Sequence, residues 1–433
     1  MTPVGLLLVV ACGQDGDSGA LQGIEAELVD EVRTVVRVRW HQTFAGPTWL
    51  EFQAAGEDWQ STPVLDRLAG VHSEVVLGVP ARTDVVYRVV GEREGRAVAS
   101  ADHRATTGAI PASVPVPSLE QHVPDGLDPR PWLLVTLSDW DDGWAYILDR
   151  RGRVVWYREM APNTWTLWAL PSQDGTHLLL DEANWVGTGS VVYRITLDGT
   201  ILETIDTPYL HHPFVELPDG SLVWGASEGR IERLDKRRGR GPVETLWDCA
   251  DFLVELGTDD TRCTSNSLAW DPVEDRFLLS FFDLDTVAEI DHATGATLRW
   301  FGQAPGSYAF EPSDSVFDFQ HGVHWTGAGT LLLSTRDAPE GYTETHAREY
   351  RVDPSSETLE LVWSYGEGQG LYAEEIGDAR RLPNGNTLLN YGSNPLIREI
   401  DGAGQTVWQV AWDLEGWVWV GRQHLLEDLY AFR

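Results

Sequence analysis

Four of the twelve histidines of this chain fall in two short stretches. They are Tyr209-Leu210-His211-His212-Pro213-Phe214 and Phe319-Gln320-His321-Gly322-Val323-His324-Trp325. Imidazole changes charge near neutral pH, so it can serve as nucleophile, general base or acid, or metal ligand. Each stretch runs directly into a turn, LPDG at 217–220 and TGAG at 326–329, followed by an apolar strand. The two clusters therefore hold the same place in a repeat. Equivalent places in a closed repeat lie at the same radius, so His211, His212 and His321 are expected to face one central channel. A metal site is not expected: the His-x-x-x-His spacing is absent, and His321 and His324, three apart on a strand, should point to opposite faces. Asp139, Asp141 and Asp142 in SDWDDG read as a charged surface turn rather than a calcium loop.

The positioning elements are two alternating hairpin patterns. One is a strand, an Asp-led turn and a second strand often ending in Trp. It occurs as YILDRRGRVVWY (146–157), YRITLDGTILETI (193–205), IERLDKRRGRGPVETLW (231–247), AEIDHATGATLRWFG (288–302), YRVDPSSETLELVWSYG (350–366) and REIDGAGQTVWQVAW (398–412). The other opens on an Asp-Gly, Asn-Gly or similar turn: LPSQDGTHLLL (170–180), LPDGSLVW (217–224), DPVEDRFLLS (271–280), TGAGTLLLS (326–334) and LPNGNTLLN (382–390). Only PWLLVTLSD (131–139) stands for it at the start. Two hairpins make one four-stranded blade, and a strand-only repeat of about 40–50 residues points to a propeller. The expected fold is all-β, a six-bladed β-propeller over 125–433. Before it, VRTVVRVRWHQ (32–42) and the short strands that follow predict a fibronectin-III-like β-sandwich over 22–108, with Trp40 and Tyr87 in its core. The Pro-rich stretch 109–124 reads as a linker.

The chain of 433 residues carries 20 Trp, most of them expected as packing between blades, and a formal charge of −35. That charge excludes nucleic acid and anionic membranes as partners through general electrostatics, and it requires a local cationic pocket for any anionic substrate. The amino terminus, MTPVGLLLVVAC, reads as a lipoprotein-type signal with tether over 1–21. Cys12 would be the lipidated residue, and the protein would be exported to the periplasm or cell envelope. The membrane would then be met only through that anchor. Cys249 and Cys263 remain, an even pair in an exported chain, and are expected to form a disulfide around a loop.

HHPFVELPDGSLVW (211–224), NSLAWDPVEDRFLLSFFDLDTVAEIDHATGATLRWFGQ (266–303), FDFQHGVHWTGAGTLLLS (317–334), ARRLPNGNTLL (379–389) and GRQHLLEDLY (421–430) together resemble the bacterial arylsulfotransferases. The resemblance implies transfer of a sulfuryl group from a phenolic sulfate to a phenol, without a nucleotide donor or other cofactor, through a sulfohistidine. It implies His321 as the nucleophile, His211 and His212 as groups that bind sulfuryl oxygens, and Asn266 as a substrate contact. Two positions depart from the family: Thr264 stands where a His is expected and Phe282 where an Arg is expected. Arg336 and Arg380 are candidate replacement guanidinia. A catalytically inactive propeller that binds a ligand or protein partner at the channel mouth is the alternative.

Overall fold

A computed structural model describes residues 19–184, 189–227, 229–235, 242–258, 262–336 and 344–433. Cys12 lies outside the described residues. The chain divides into two units, Met1–Ala109 and Ile110–Arg433. Among the described residues no helix is long and apolar enough to cross a membrane.

The first unit holds two antiparallel sheets, one of three strands (Leu21–Leu28, Val36–Gln42, Gly70–Val76) and one built around Gly46–Ala54 and Asp84–Arg93. In Val36–Gln42 every second residue is buried, the period-two pattern of a sheet with one face on a core. Trp40 and Tyr87 are both buried. Gln42, buried among them, is satisfied by Thr48 Oγ1 at 2.9 Å and by the Phe44 carbonyl at 3.0 Å.

Among the described residues of the second unit there are six sheets, antiparallel except where Ala309–Glu311 runs parallel to Thr358–Tyr365. The innermost strands are β1 (Ala169–Pro171), β2 (Leu210–Glu216), β3 (Ser265–Asp271), β4 (His321–Trp325), β5 (Asp378–Arg381) and β6 (Trp419–Leu426). β2 lies against β3, β3 against β4 and β4 against β5, while β6 meets β1. The propeller is closed by its own end: β6 pairs with Trp132–Ser138, so the first sheet combines three early strands with the last one. Every Asp-led hairpin is an outer pair of strands, and every Gly-turn hairpin an inner pair. Local chemistry fixes the outer turns: Asp149 Oδ1 accepts from the Arg151 and Arg153 amides at 2.9 Å each, and Asp401 Oδ1 from those of Ala403 and Gln405 at 2.9 and 2.8 Å. Tryptophans join neighbouring sheets. Trp156 donates to the Leu197 carbonyl at 3.0 Å and Trp408 to that of Arg150 at 2.8 Å, with both rings buried.

Two elements differ from the sequence reading. Within the stretch read as a linker, Ser118–His122 forms a strand on the outer edge of the sixth sheet, paired with Thr406–Ala411. The segment after Cys249 is not a loop but an eight-residue helix, α1 (Cys249–Leu256). Asp248 caps its first turn through the Ala250 amide, and Gly257, in the left-handed region at φ 66°, ends it. Cys249, Phe252 and Leu253 supply its buried face. Cys249 is bonded to Cys263, which ties the helix to the segment leading into β3.

Candidate active site

Two of the inner strands are irregular near their N-terminal ends. On β2, Leu210 pairs with Ala226 and Phe214 with Trp224, so four steps of one strand oppose two of the next. On β4, His321 pairs with Ser334 and His324 with Leu332. Such bulges re-aim side chains. Left-handed backbone occurs within them at His212 (φ 65°) and Gly322 (φ 64°), and just before them at Tyr209 (φ 62°) and Phe319 (φ 50°). At Gly322 no side chain fits: an added Cβ would lie 2.5 Å from Asp378 Oδ1 and 2.9 Å from the Gly377 carbonyl. The extra residue on β4 also corrects one expectation. It shifts the alternation by one, so His321 and His324 are not on opposite faces. Both line cavities in the propeller interior, each at a different end of its strand.

His321, His212 and Asn266 line one small cavity with Trp168, Gly377 and Arg422. The cavity has room for about 20 Å³, roughly a single water. His211 and His212 are stacked with ring centroids 4.1 Å apart, and the edge of Trp165 meets His212 at 5.3 Å. His321 is held by its own neighbours. Its Nδ1–H donates to the Phe319 carbonyl at 2.9 Å, which leaves Nε2 with its lone pair. Phe319 is fixed in turn, because its amide donates to Asp285 Oδ1 at 2.7 Å. Burial, and the nearby Asp318, push the Asp285 carboxyl up to about 6. Asn266 Nδ2 donates to the Gln320 carbonyl at 2.7 Å, and the Gln320 amide donates to Ser280 Oγ and to the Phe281 and Thr286 carbonyls. Asn266 Oδ1 is buried and meets no protein donor among the described residues.

The imidazoles are held neutral. Burial, aided by the charge of Arg336 and by His211, pushes His321 down to about 4. Burial, then His211 and His321, holds His212 well below the ordinary value. His211 is also lowered by burial, against its 2.8 Å bond to the Ser265 carbonyl and the opposing charge of Asp283. These mutual effects place His211, His212 and His321 within electrostatic reach of one another.

Phe282 stacks on His321 with centroids 6.1 Å apart, so an apolar ring occupies the place expected for Arg. At Thr264 the backbone N–H donates to both Asp283 carboxylate oxygens at 3.1 Å. Of the two candidate guanidinia, Arg336 is beside His321. It lies 3.5 Å over the Phe319 ring and donates to the Glu374 carbonyl. Arg380 is elsewhere, on the wall of a second cavity with His324, Arg422 and His424. Sequence reasoning missed Arg422 and His424 as lining residues. Among the described residues no group of three or more metal-binding side chains converges.

The fold is thus an all-β propeller whose inner strands gather a buried histidine cluster. Residues 264–413, from the start of β3 through the last outer hairpin, match the family model described as arylsulfotransferase (ASST). The matched part of the propeller includes Asn266 and His321. No curated protein matches the chain. Among solved structures it is similar to a protein of unknown function from Bacteroides caccae, at 16% identity over 64% of this chain and 93% of that one, with a TM-score of 0.45. It is also similar to the β-propeller domain of Cps50 (Swd1) from Myceliophteria thermophila, at 14% identity over 70% and 87%, with a TM-score of 0.41. A streptogramin B lyase matches at 11% identity over 69% and 88%, with a TM-score of 0.41.

Proposed function

We propose that the protein transfers a sulfuryl group between phenols, with His321 as the nucleophile. The observation that carries this reading is the state of His321: Nδ1–H is bonded to the Phe319 carbonyl, and the ring is held neutral to about pH 4. Nε2 attacks the sulfur of an aryl sulfate, an N–S bond forms, and the S–O(aryl) bond breaks to release a phenoxide. The proton kept on Nδ1 leaves the sulfated ring cationic, which makes it a good donor in the second step. The acceptor phenol gives its proton to a neutral imidazole of the His211–His212 pair, and its oxygen attacks sulfur. The N–S bond breaks, an aryl sulfate forms and His321 returns to its neutral form with Nδ1–H. The imidazolium gives its proton to solvent, from which the released phenoxide is protonated. Arg336 supports the developing negative charge from behind the Phe319 ring. Asn266 Oδ1 is open to a hydroxyl donor, as a phenol would provide. Trp140 and Trp417, both exposed, flank Trp419 and offer aromatic surface for the ring. The Cys249–Cys263 bond supports an oxidising compartment, and with it the proposal of an exported protein.

A second reading, a ligand-binding propeller without catalysis, is favoured by two observations: the small size of the His321 cavity and the apolar Phe282 against its nucleophile. One experiment separates them. With 4-nitrophenyl sulfate and a phenol acceptor, the wild-type protein should release nitrophenol, and the peptide carrying His321 should gain the mass of one SO3 group when the acceptor is omitted. A wild-type rate no higher than that of His321→Ala leaves the binding reading alone.

A further inference from the structure

The inner strands open a second and much larger cavity, about 980 Å³, at the ends opposite His321. Its deep wall carries His324, Arg380, Arg422 and His424, and Trp270 and Trp325 flank it. The hydrogen bonds of these groups leave donor capacity over. Arg422 Nε donates to His424 Nε2 at 3.1 Å, and no hydrogen bond engages its terminal amines among the described residues. Arg380 Nε donates to Asp378 Oδ2 at 2.9 Å. His324 Nδ1–H donates to the Gly322 carbonyl at 3.0 Å. One carboxylate, Asp378, therefore stands against two guanidinium groups. The other acids on the wall are engaged: Glu216 with Arg194, Glu289 with Arg299, Glu274 with Arg276 at 3.3 Å, and Asp271 with the Val273 amide at 2.9 Å.

Burial and the charge of Arg380 push Arg422 down to about 9, a sign of cationic charge poorly balanced by the protein. Interior guanidinium without an equal number of carboxylates is costly to fold unless something anionic answers it. In a chain of net charge −35 such a surplus is local and specific. The hollow is far larger than an inorganic ion needs and falls in the size range of small-molecule sites. Its Trp and aliphatic lining suits a ring, and paired guanidinium groups suit an oxyanion.

We propose that this cavity is a binding site for an aromatic monoanion, a sulfonate, sulfate ester or carboxylate. Arg380 and Arg422 hold its oxyanion, His324 and His424 contact it as neutral groups, and Trp270 and Trp325 hold its ring. The site adjoins the His321 cavity through Arg422, which lines both, and it stands whether or not His321 is catalytic. The test is calorimetric titration of naphthalene-2-sulfonate, and of sodium sulfate at matched ionic strength, into the wild type and the variants Arg380→Gln, Arg380→Lys, His424→Gln and His321→Gln, each checked for a native melt. The wild type should bind the sulfonate, Arg380→Gln should weaken it by about tenfold or more, and Arg380→Lys should recover part of the loss. His424→Gln should weaken binding in the same direction, which keeps the test open if Arg380→Gln fails to fold. His321→Gln should leave binding unchanged. No heat from the wild type at millimolar sulfonate, or equal affinity in the wild type, Arg380→Gln and His424→Gln, overturns the site. Loss confined to His321→Gln places the anion at the other mouth and also overturns it. Sulfate binding as tightly as the sulfonate refutes the aromatic part.

Discussion

Burial sets the chemistry of His321, and burial also makes it a liability in acid. In the unfolded chain its imidazole takes up a proton near pH 6.5, whereas in the folded protein it stays neutral to about pH 4. Between those values the unfolded state binds more protons, so this residue's contribution to stability falls as pH drops through that window. The full difference is about 3 kcal/mol. The melting temperature of the wild type should therefore decline relative to that of His321→Gln between pH 7 and pH 4, as scanning calorimetry at several pH values would show. A constant gap between the two proteins contradicts a depressed imidazole. Gly322 is the companion case. Gly322→Ala would push a methyl into Asp378 and the Gly377 carbonyl at a left-handed position, and should cost about 1–3 kcal/mol in denaturant melts. The sequence indicated that His211, His212 and His321 belong together, because they hold equivalent places in the repeat. It did not reveal that His324 faces the interior as well, since a one-residue bulge leaves no mark in the pattern of residue types. Position in the repeat would have found part of the second cavity. Val215, Ala269, His324 and Arg380 all stand two residues before the inner turn, and all four line it.

At the scale of elements, what the sequence made plain is what short-range chemistry decides. The Asx turns at Asp149 and Asp401 need only neighbours within a few residues, and the outer hairpins follow from them. Helix α1 was missed because it is short and isolated in a chain of strands. Its start at Asp248 and its stop at Gly257 were in view, but its stability rests on Phe252 packing against Trp247 and Trp300 and on the cystine at its first residue. Replacing Cys249 and Cys263 together by Ser should remove roughly 3 kcal/mol and lower the melting temperature by several degrees. An unchanged melt, with two thiols titrating in the native protein, would exclude the bond.

For the whole molecule, the decisive element is β6. Its partner strand, Trp132–Ser138, lies near the other end of the propeller sequence, and nothing local in GRQHLL announces that pairing. Within its span, Val420 and Leu425 join the same buried cluster as Leu133, Val135 and Tyr146, and Gly421 sits so close to Thr136 and the Leu167 carbonyl that no side chain fits. A chain ending at residue 413 would expose that cluster and leave the first sheet with an unpaired edge. It should lose the cooperative unfolding transition of the full-length protein and elute as aggregate in size-exclusion chromatography. A truncated chain with a sharp, unshifted transition would mean that the ring does not depend on its seam.

The same seam sets an order of events during biosynthesis. While the ribosome is still making the later sheets, Trp132–Ser138 has no inner neighbour, and its free amides and carbonyls can be taken by any passing extended segment. The ring can lock only after residue 426 has emerged, so the nascent protein should depend on chaperones that shield that open edge until its last strand arrives.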